Sequence, residues 1–215
     1  MIDLLKGMQD FYHKTFPKHA ERFAELAKGQ KPRVLFITCS DSRIDPNLLT
    51  HTKPGEIFVI RNAGNIVPPY GSSCGGEEAT IEYAIDGLGI KNVVICGHSH
   101  CGAMTGLSGQ VDMSALPSTK AWLKHAAAVK KRCQSDEKSE QFVEKLIHDN
   151  ILVQVQNLKT HPAVSAAITE NRLKVFGCVY HFESGLTTIY HRKHKKFVPV
   201  TEVGQDAGEL DLHSL

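Results

Sequence analysis

Val34-Leu35-Phe36-Ile37-Thr38-Cys39-Ser40-Asp41-Ser42-Arg43 sets an apolar run directly before a cysteine, an acid and a base. A short continuous apolar run bounded by polar residues reads as a strand covered on both faces, as in a parallel sheet. A second run, Val93-Val94-Ile95-Cys96, delivers Gly97-His98-Ser99-His100-Cys101-Gly102. Two strand ends therefore each present soft metal ligands, and in open α/β sheets ligands gather beyond the carboxyl ends of the strands. Cys39 and Cys101 with one imidazole, from His98 or His100, make a zinc site. Three protein ligands leave a tetrahedral ion one position short, which is what separates a catalytic zinc from a structural one.

Around these two ends the pattern is α/β. Ile57-Phe58-Val59-Ile60 is a further strand, running into the loop Arg61-Asn62-Ala63-Gly64-Asn65, whose Gly and Asn content permits positive φ. Asp45-Pro46 opens a short helix, Gly76 to Leu88 has helical spacing, and Ala121–Cys133, Glu140–Leu158 and Pro162–Glu170 are helix candidates. The polar loop Gln134–Ser139 separates two of them. Val175 to Phe182 is a strand that Glu183-Ser184-Gly185 turns into Leu186–Tyr190. The expectation is a mostly parallel central sheet, extended by one antiparallel strand and flanked by helices. Residues 1–215 are read as a single domain: an N-terminal helical arm over 1–30, an α/β core over 31–191 and a C-terminal tail over 192–215. The apolar stripe Ile2, Leu5, Met8, Tyr12 and the residues Ala20, Phe23, Leu26 and Ala27 have no obvious place on the sheet, so the arm is expected to pack on a partner subunit.

At 215 residues and 41% apolar content the chain can bury a full core. A formal charge of +2, from 25 basic and 23 acidic residues without concentration of either sign, gives no electrostatic case for nucleic acid or membrane. The one basic run, His191 to Lys196, reads as a solvated hairpin turn. No stretch approaches the ~20 apolar residues of a membrane span, and Met1-Ile2-Asp3 does not begin a secretory signal. Six cysteines, two of them committed to a metal, do not form a disulfide framework. Cys96 and Cys178 sit inside apolar runs as core residues, Cys133 ends a helix, and Cys74 lies in a glycine-rich loop. A reducing cytoplasm is the expected compartment.

Alternate residues of an extended chain face the same way, so Cys39, Asp41 and Arg43 can project together. Asp41 could instead cap the turn before Ile44, with Arg43 as its surface partner. As a structural zinc module the chain would need a closed fourth ligand, for which Asp41 is the available group. A thiol redox protein would carry Cys-x-x-Cys, which is absent.

These motifs resemble the β-class carbonic anhydrases over most of the chain, from about Phe23 to Tyr190. The resemblance lies in Cys39-Ser40-Asp41-Ser42-Arg43, Pro54-Gly55-Glu56, Arg61 to Val67, Ile81-Glu82-Tyr83-Ala84 and Gly97 to Gly102, with Pro68-Pro69-Tyr70-Gly71 closer to the plant and cyanobacterial branch. It implies one Zn2+ per chain held by Cys39, His98 and Cys101, with His98 preferred to His100. It also implies a dyad in which Arg43 keeps the Asp41 carboxylate off the metal while Asp41 accepts a hydrogen bond from zinc-bound water or hydroxide. Gln30 matches a glutamine that donates to substrate. Phe58, Ala63 and Tyr83 fall on pocket positions, Tyr83 coming from a neighbouring subunit, and Gly102 offers a backbone position at a helix start suited to an oxyanion.

The implied activity is reversible hydration of carbon dioxide to bicarbonate and a proton by attack of zinc-bound hydroxide. The implied assembly is a homodimer or a higher even-numbered homo-oligomer. One branch of the family binds bicarbonate at a non-catalytic tryptophan, arginine and tyrosine. Arg61 and Tyr180 match the last two, but Phe36 replaces the tryptophan and Thr38 stands where that branch has glycine, so an open site with Asp41 held by Arg43 is expected. Recruitment to a carboxysome shell or scaffold is the alternative location. It is disfavoured, because carboxysomal relatives carry a longer C-terminal extension than the roughly twenty-five residues that follow Tyr190.

Overall fold

Apolar runs bounded by polar residues form the strands of one six-stranded sheet: β1 (Val34–Cys39), β2 (Ile57–Asn62), β3 (Asn92–His98), β4 (Lys174–Tyr180), β5 (Thr187–His191) and β6 (Lys196–Pro199). The strand order is β2-β1-β3-β4-β5-β6. The first four strands are parallel, and β5 and β6 add antiparallel to the edge. After β1 the chain moves to one side for β2 and to the other for β3. The carboxyl ends of β1 and β3 therefore form the switch point of the sheet, where a crevice is left between diverging connections. Cys39 is the last residue of β1 and His98 the last of β3.

The computed structural model describes residues 1–72, 75–133, 139–204 and 207–215. Cys74 and residues 134–138 of the polar loop lie outside the described residues. The chain divides into two units, Met1–Lys31 and Pro32–Leu215. The first holds α1 (Ile2–Asp10) and α2 (Ala20–Leu26), joined by a π turn over Phe11–Thr15 and a 3-10 turn over Phe16–His19. Phe11, Phe16 and Phe23 pack ring against ring within it. Met1, Ile2, Leu4, Leu5, Met8 and Tyr12 are exposed, an apolar surface of the kind that marks an interaction site.

In the second unit the helices are α3 (Pro46–Thr50), α4 (Gly76–Glu82), α5 (Gly102–Ser108), α6 (Pro117–Trp122), α7 (Ala127–Cys133), α8 (Glu140–Lys159) and α9 (Pro162–Thr169). Asp45 caps α3 by accepting from the N–H groups of Asn47 and Leu48, and Ser139 caps α8 by accepting from Phe142. α8 covers one face of the sheet over β3 and β4, where its Leu146, Ile147, Ile151, Val155 and Leu158 join Leu35, Ile37, Val93, Ile95 and Val175 in one core. A Cβ on Gly177 of β4 would sit 2.4 Å from Ile151 Cγ2, so the glycine is what lets α8 come down onto the sheet. The opposite face carries a smaller cluster of Phe36, Ile44, Cys96 and Cys178.

The structure departs from the sequence expectation in four places. β2 continues to Asn62, two residues into the expected loop, and the positive φ values fall at Gly64 and Asn65. The helix from Gly76 changes to a π turn at Tyr83–Gly87. The helical stretch before Cys133 begins at Pro117 and passes through a 3-10 turn over Leu123–Ala126. Beyond the turn at 192–195, the segment expected as a tail supplies β6 and buries Leu210 and Leu212, with Leu212 N–H donating to Val175 O at 2.7 Å.

Candidate metal centre and active site

Cys39 and His98 arrive on the ends of adjacent parallel strands, and Cys101 follows three residues later as the N-cap of α5. Their ligand atoms all lie within 4.8 Å of one another, and all three residues are buried. Among the described residues this is the one group of three such side chains so placed. His98 Nδ1 lies 2.8 Å from Ser99 O; a carbonyl can only accept, so Nδ1 carries the proton and Nε2 carries the lone pair. That Nε2 is fully buried and has no hydrogen-bond partner. A buried acceptor is rarely left unpaired, and one aimed at two sulfurs is what a metal ion satisfies.

The two thiols share their protons unequally. The Cys39 thiol is held down to about 4, chiefly by the hydrogen bond from Cys101 and further by the backbone N–H groups of Gly64 and Asp41, against the opposing effect of burial. Cys101 is pushed well above the usual thiol range by the same pairing and by its burial. One thiolate therefore stands ready before any metal arrives, and metal binding has the second proton to displace.

Asp41 is gripped on both oxygens: Arg43 Nε donates to Oδ1 at 2.9 Å, Arg43 Nη2 to Oδ2 at 2.7 Å, and the Arg43 backbone N–H to Oδ1 at 3.0 Å. This fork keeps the carboxyl well below the usual carboxylate range. Asp41 Oδ2 remains 3.9 Å from His98 Nε2, beside the metal-facing nitrogen. Occupied in this way, Asp41 does not close the cluster as a fourth ligand, which the structural-zinc reading requires. Arg61 straps the turn from β2, donating to Cys39 O at 3.0 Å and Asp41 O at 2.7 Å.

The remaining expected residues distribute differently. Ala63 follows β2 directly, and its carbonyl accepts from Trp122 Nε1 at 2.8 Å. Gly102 opens α5, and a Cβ there would meet no protein atom within 4 Å, so space is left in front of its backbone. Phe58 is paired in register with Leu35, whereas Cys39 is paired with Asn62. Four residues along a strand is ~13 Å, so Phe58 lies well back from the Cys39 end of β1 in its own chain. Tyr83 is with it, ring centroids 6.1 Å apart, and is 52% exposed. Gln30 is an exposed residue of the N-terminal unit.

Several contributors were not visible as such in the sequence. The Gly64 N–H donates to Cys39 Sγ at 3.4 Å. The loop that carries it is held by amides on the buried face of α8. Asn150 Nδ2 donates to Gly64 O at 2.9 Å, Gln154 Oε1 accepts from Val67 N–H at 2.9 Å, and Asn157 Nδ2 donates to Val67 O at 2.9 Å. Gln154 Nε2 ties to Asn150 Oδ1 at 2.8 Å, and His161 Nε2 donates to Pro68 O at 3.0 Å. Positions 150, 154 and 157 follow helical spacing within an apolar segment, and that stripe is the signal that points to them, whereas His161 stands beyond α8 as the N-cap of α9.

A family model described as carbonic anhydrase matches residues 34–187. The chain is 49% identical over 189 residues to the carbonic anhydrase of Synechococcus elongatus, covering 86% of this chain and 70% of that one. It is 41% identical over 204 residues to the carbonic anhydrase of Pseudomonas aeruginosa, covering 94% and 93%. Among solved structures it is similar to the β-carbonic anhydrase CcaA, with TM-score 0.89 and 43% identity over 93% of this chain and 91% of that chain. A second similar structure comes from a study of two tetrameric β-carbonic anhydrases of the ascomycete Sordaria macrospora, with TM-score 0.76 and 28% identity over 86% and 94%. The matched region runs from the first residue of β1 to the first of β5 and contains the whole thiol–imidazole cluster, so the chain belongs to the carbonic anhydrase family, in its β class, and is an enzyme of the reversible hydration of carbon dioxide.

Proposed function

We propose that Cys39, His98 and Cys101 hold one zinc ion per chain and that Asp41, Arg43, Gln30 and Gly102 act on the reactants beside it. The observation that carries this reading is the buried, unpartnered His98 Nε2 facing two cysteine sulfurs next to a carboxylate locked by arginine. Zinc, when bound, supplies Lewis-acid activation of a water molecule, making a nucleophile available near neutral pH. Two thiolates donate more charge than imidazoles do, so activation is weaker than in an all-histidine site and the rate rises toward alkaline pH.

Asp41 accepts a hydrogen bond from the nucleophile's O–H on Oδ2, which turns a lone pair toward the carbon of carbon dioxide. Arg43 keeps that carboxylate ionised and prevents it from swinging onto the metal. The Gln30 amide donates to a carbon dioxide oxygen, and the Gly102 backbone N–H at the start of α5 serves the developing oxyanion. Carbon dioxide and water combine to bicarbonate, and one proton leaves to solvent.

Phe58 and Tyr83 are read as lining the pocket of a neighbouring subunit, since Phe58 lies back along β2 from its own chain's cluster and the Tyr83 ring lies beside it. A homo-oligomer of at least two chains follows from that reading, and the tetrameric relatives of Sordaria macrospora are in keeping with it. The five described cysteines are all free, which suits a reducing cytoplasm. Among the described residues no helix is long and apolar enough to cross a membrane.

Stripping the metal with a chelator is expected to abolish carbon dioxide hydration, and one equivalent of zinc per chain to restore it. Hydration at the parental rate by protein free of metal would contradict the proposal.

A further inference from the structure

Phe182 lies two residues past the end of β4, and none of the chemistry above uses it. Its ring touches both halves of the site. The His98 imidazole centroid is 5.0 Å from its own, tilted by 39°, and Arg43 Cζ lies 4.6 Å from the ring centroid. Tyr180 supports the ring edge-on from β4 at 5.3 Å. The Phe182 backbone is fixed as well: its N–H donates to Ser99 Oγ at 3.0 Å, Ser99 Oγ donates to Glu183 Oε2 at 3.1 Å, and Ser99 N–H donates to Tyr180 O at 2.9 Å. Ser99 is also the residue whose carbonyl holds His98 Nδ1.

Arg43 needs such a support. Its side chain is 52% exposed, and a long flexible side chain at the surface can carry its carboxylate partner with it, since a bidentate pair turns as one body. Apart from Asp41, Arg43 is anchored by Nη2 donating to His100 O at 3.2 Å and by the face of Phe182. A guanidinium over an aromatic face is held by the ring quadrupole, and an aliphatic side chain of similar size supplies the volume without that attraction.

We propose that Phe182 is a positioning residue for the hydration reaction: one ring backs the His98 imidazole and holds the Arg43 guanidinium, so that Asp41 Oδ2 keeps its place beside His98 Nε2. The inference rests on the roles given above to Asp41, Arg43 and His98. Phe182 acts only through those side chains.

The test compares Phe182→Leu with Phe182→Tyr in the full chain. Phe182→Leu is expected to retain one zinc per chain and to lower kcat about fivefold with KM within twofold, a rate loss of roughly 1 kcal/mol. Phe182→Tyr, which keeps an aromatic face, is expected to return kcat to within twofold of the parent. In metal-free protein, the Arg43 Nε–H resonance is expected to show an upfield ring-current shift that survives Phe182→Tyr and disappears in Phe182→Leu. Equal losses for both variants, full activity in Phe182→Leu, or an unshifted Arg43 resonance in the parent would overturn this inference alone. Parental protein that binds no zinc and hydrates no carbon dioxide would overturn the reading of the site and this inference with it.

Discussion

Two buried cysteine pairs lie in the same sheet unit, and one member of each, Cys39 and Cys96, is shifted in the opposite direction to the other. Cys39 and Cys101 meet where β1 ends and α5 begins, while Cys96 and Cys178 face each other across β3 and β4. Cys39 is drawn down to about 4, whereas Cys96 is pushed well above the usual thiol range by its neighbour Cys178 and by full burial. Burial opposes ionisation in both. The difference lies in the donors. Within the sheet, backbone N–H groups are consumed by the ladder, so Cys96 is left with its neighbour Cys178, the Thr38 side chain and Gly97 O, a carbonyl that its S–H can donate to at 3.4 Å. Past the strand ends the ladder stops, leaving the Cys101 S–H and the Gly64 and Asp41 N–H groups for Cys39. Placement at the end of a strand thus gives Cys39 the donors that stabilise a thiolate, and placement within one leaves Cys96 a thiol.

The largest expected effect separates the pairs directly. Cys39→Ser removes both a ligand and a charge donor, and zinc content and hydration rate are expected to fall together, the rate by a factor of about 10³ or more, as loss of ~4 kcal/mol of activation would give. Cys96→Ala is expected to keep full zinc and activity and to lose only about 1–2 kcal/mol of stability for the small cavity. Parallel metal analysis and hydration assays decide it, and zinc loss in Cys96→Ala would break the comparison.

Next in size is the support behind the strand-end pair. Gln154→Leu leaves the buried Val67 N–H without its acceptor and Asn150 Oδ1 without its donor, expected to cost about 3 kcal/mol in denaturant unfolding. Because the same loop presents Gly64 N–H to Cys39, zinc release to a competing chelator is expected to quicken about tenfold or more. Unchanged release with lowered stability would reduce the amide ladder to ordinary packing.

A smaller effect is expected in the pH dependence of metal-free protein. The Cys39 value in the folded chain lies below its ordinary value of 9.0, at about 4. Between those limits the unfolded chain holds a proton that the native chain has lost, so stability rises with pH through the window. The contribution is fully present above the ordinary thiol value and is lost as pH falls through about 4. Cys101 has the opposite shift, so stability turns down again once the unfolded chain ionises and the native Cys101 does not. Denaturant unfolding at a series of pH values is expected to show the rise in the parent and in Cys96→Ala, and a flattened profile in Cys39→Ala.

The strand-end chemistry was legible because it depends on local order: an apolar run, then a ligand. The parallel sheet and the cluster of Cys39, His98 and Cys101 follow from two such runs. β6 was hidden because Lys196-Phe197-Val198-Pro199 is a short edge strand with a charge at one end and a proline at the other, the means by which edges are protected from further pairing. Asn150, Gln154 and Asn157 were hidden because amides are read as surface groups, although Asn150 and Gln154 are buried and Asn157 is half-buried on the same face. The role of Phe182 depends on two elements distant in sequence meeting one ring. The set-back of Phe58 depends on register, which apolar patterning leaves open by whole repeats of two residues.

On the function proposed above, the strand-end pair, and not the strand-interior pair, holds the metal. Zinc-edge X-ray absorption on the zinc-loaded enzyme tests it most directly, because it counts sulfur ligands. Two sulfurs are expected at about 2.3 Å with the remaining ligands nitrogen or oxygen at about 2.0–2.2 Å, one sulfur in Cys101→Ser, and two still in Cys96→Ser. A parental site with no sulfur or with four, or a sulfur count that falls in Cys96→Ser and stays at two in Cys101→Ser, would contradict it.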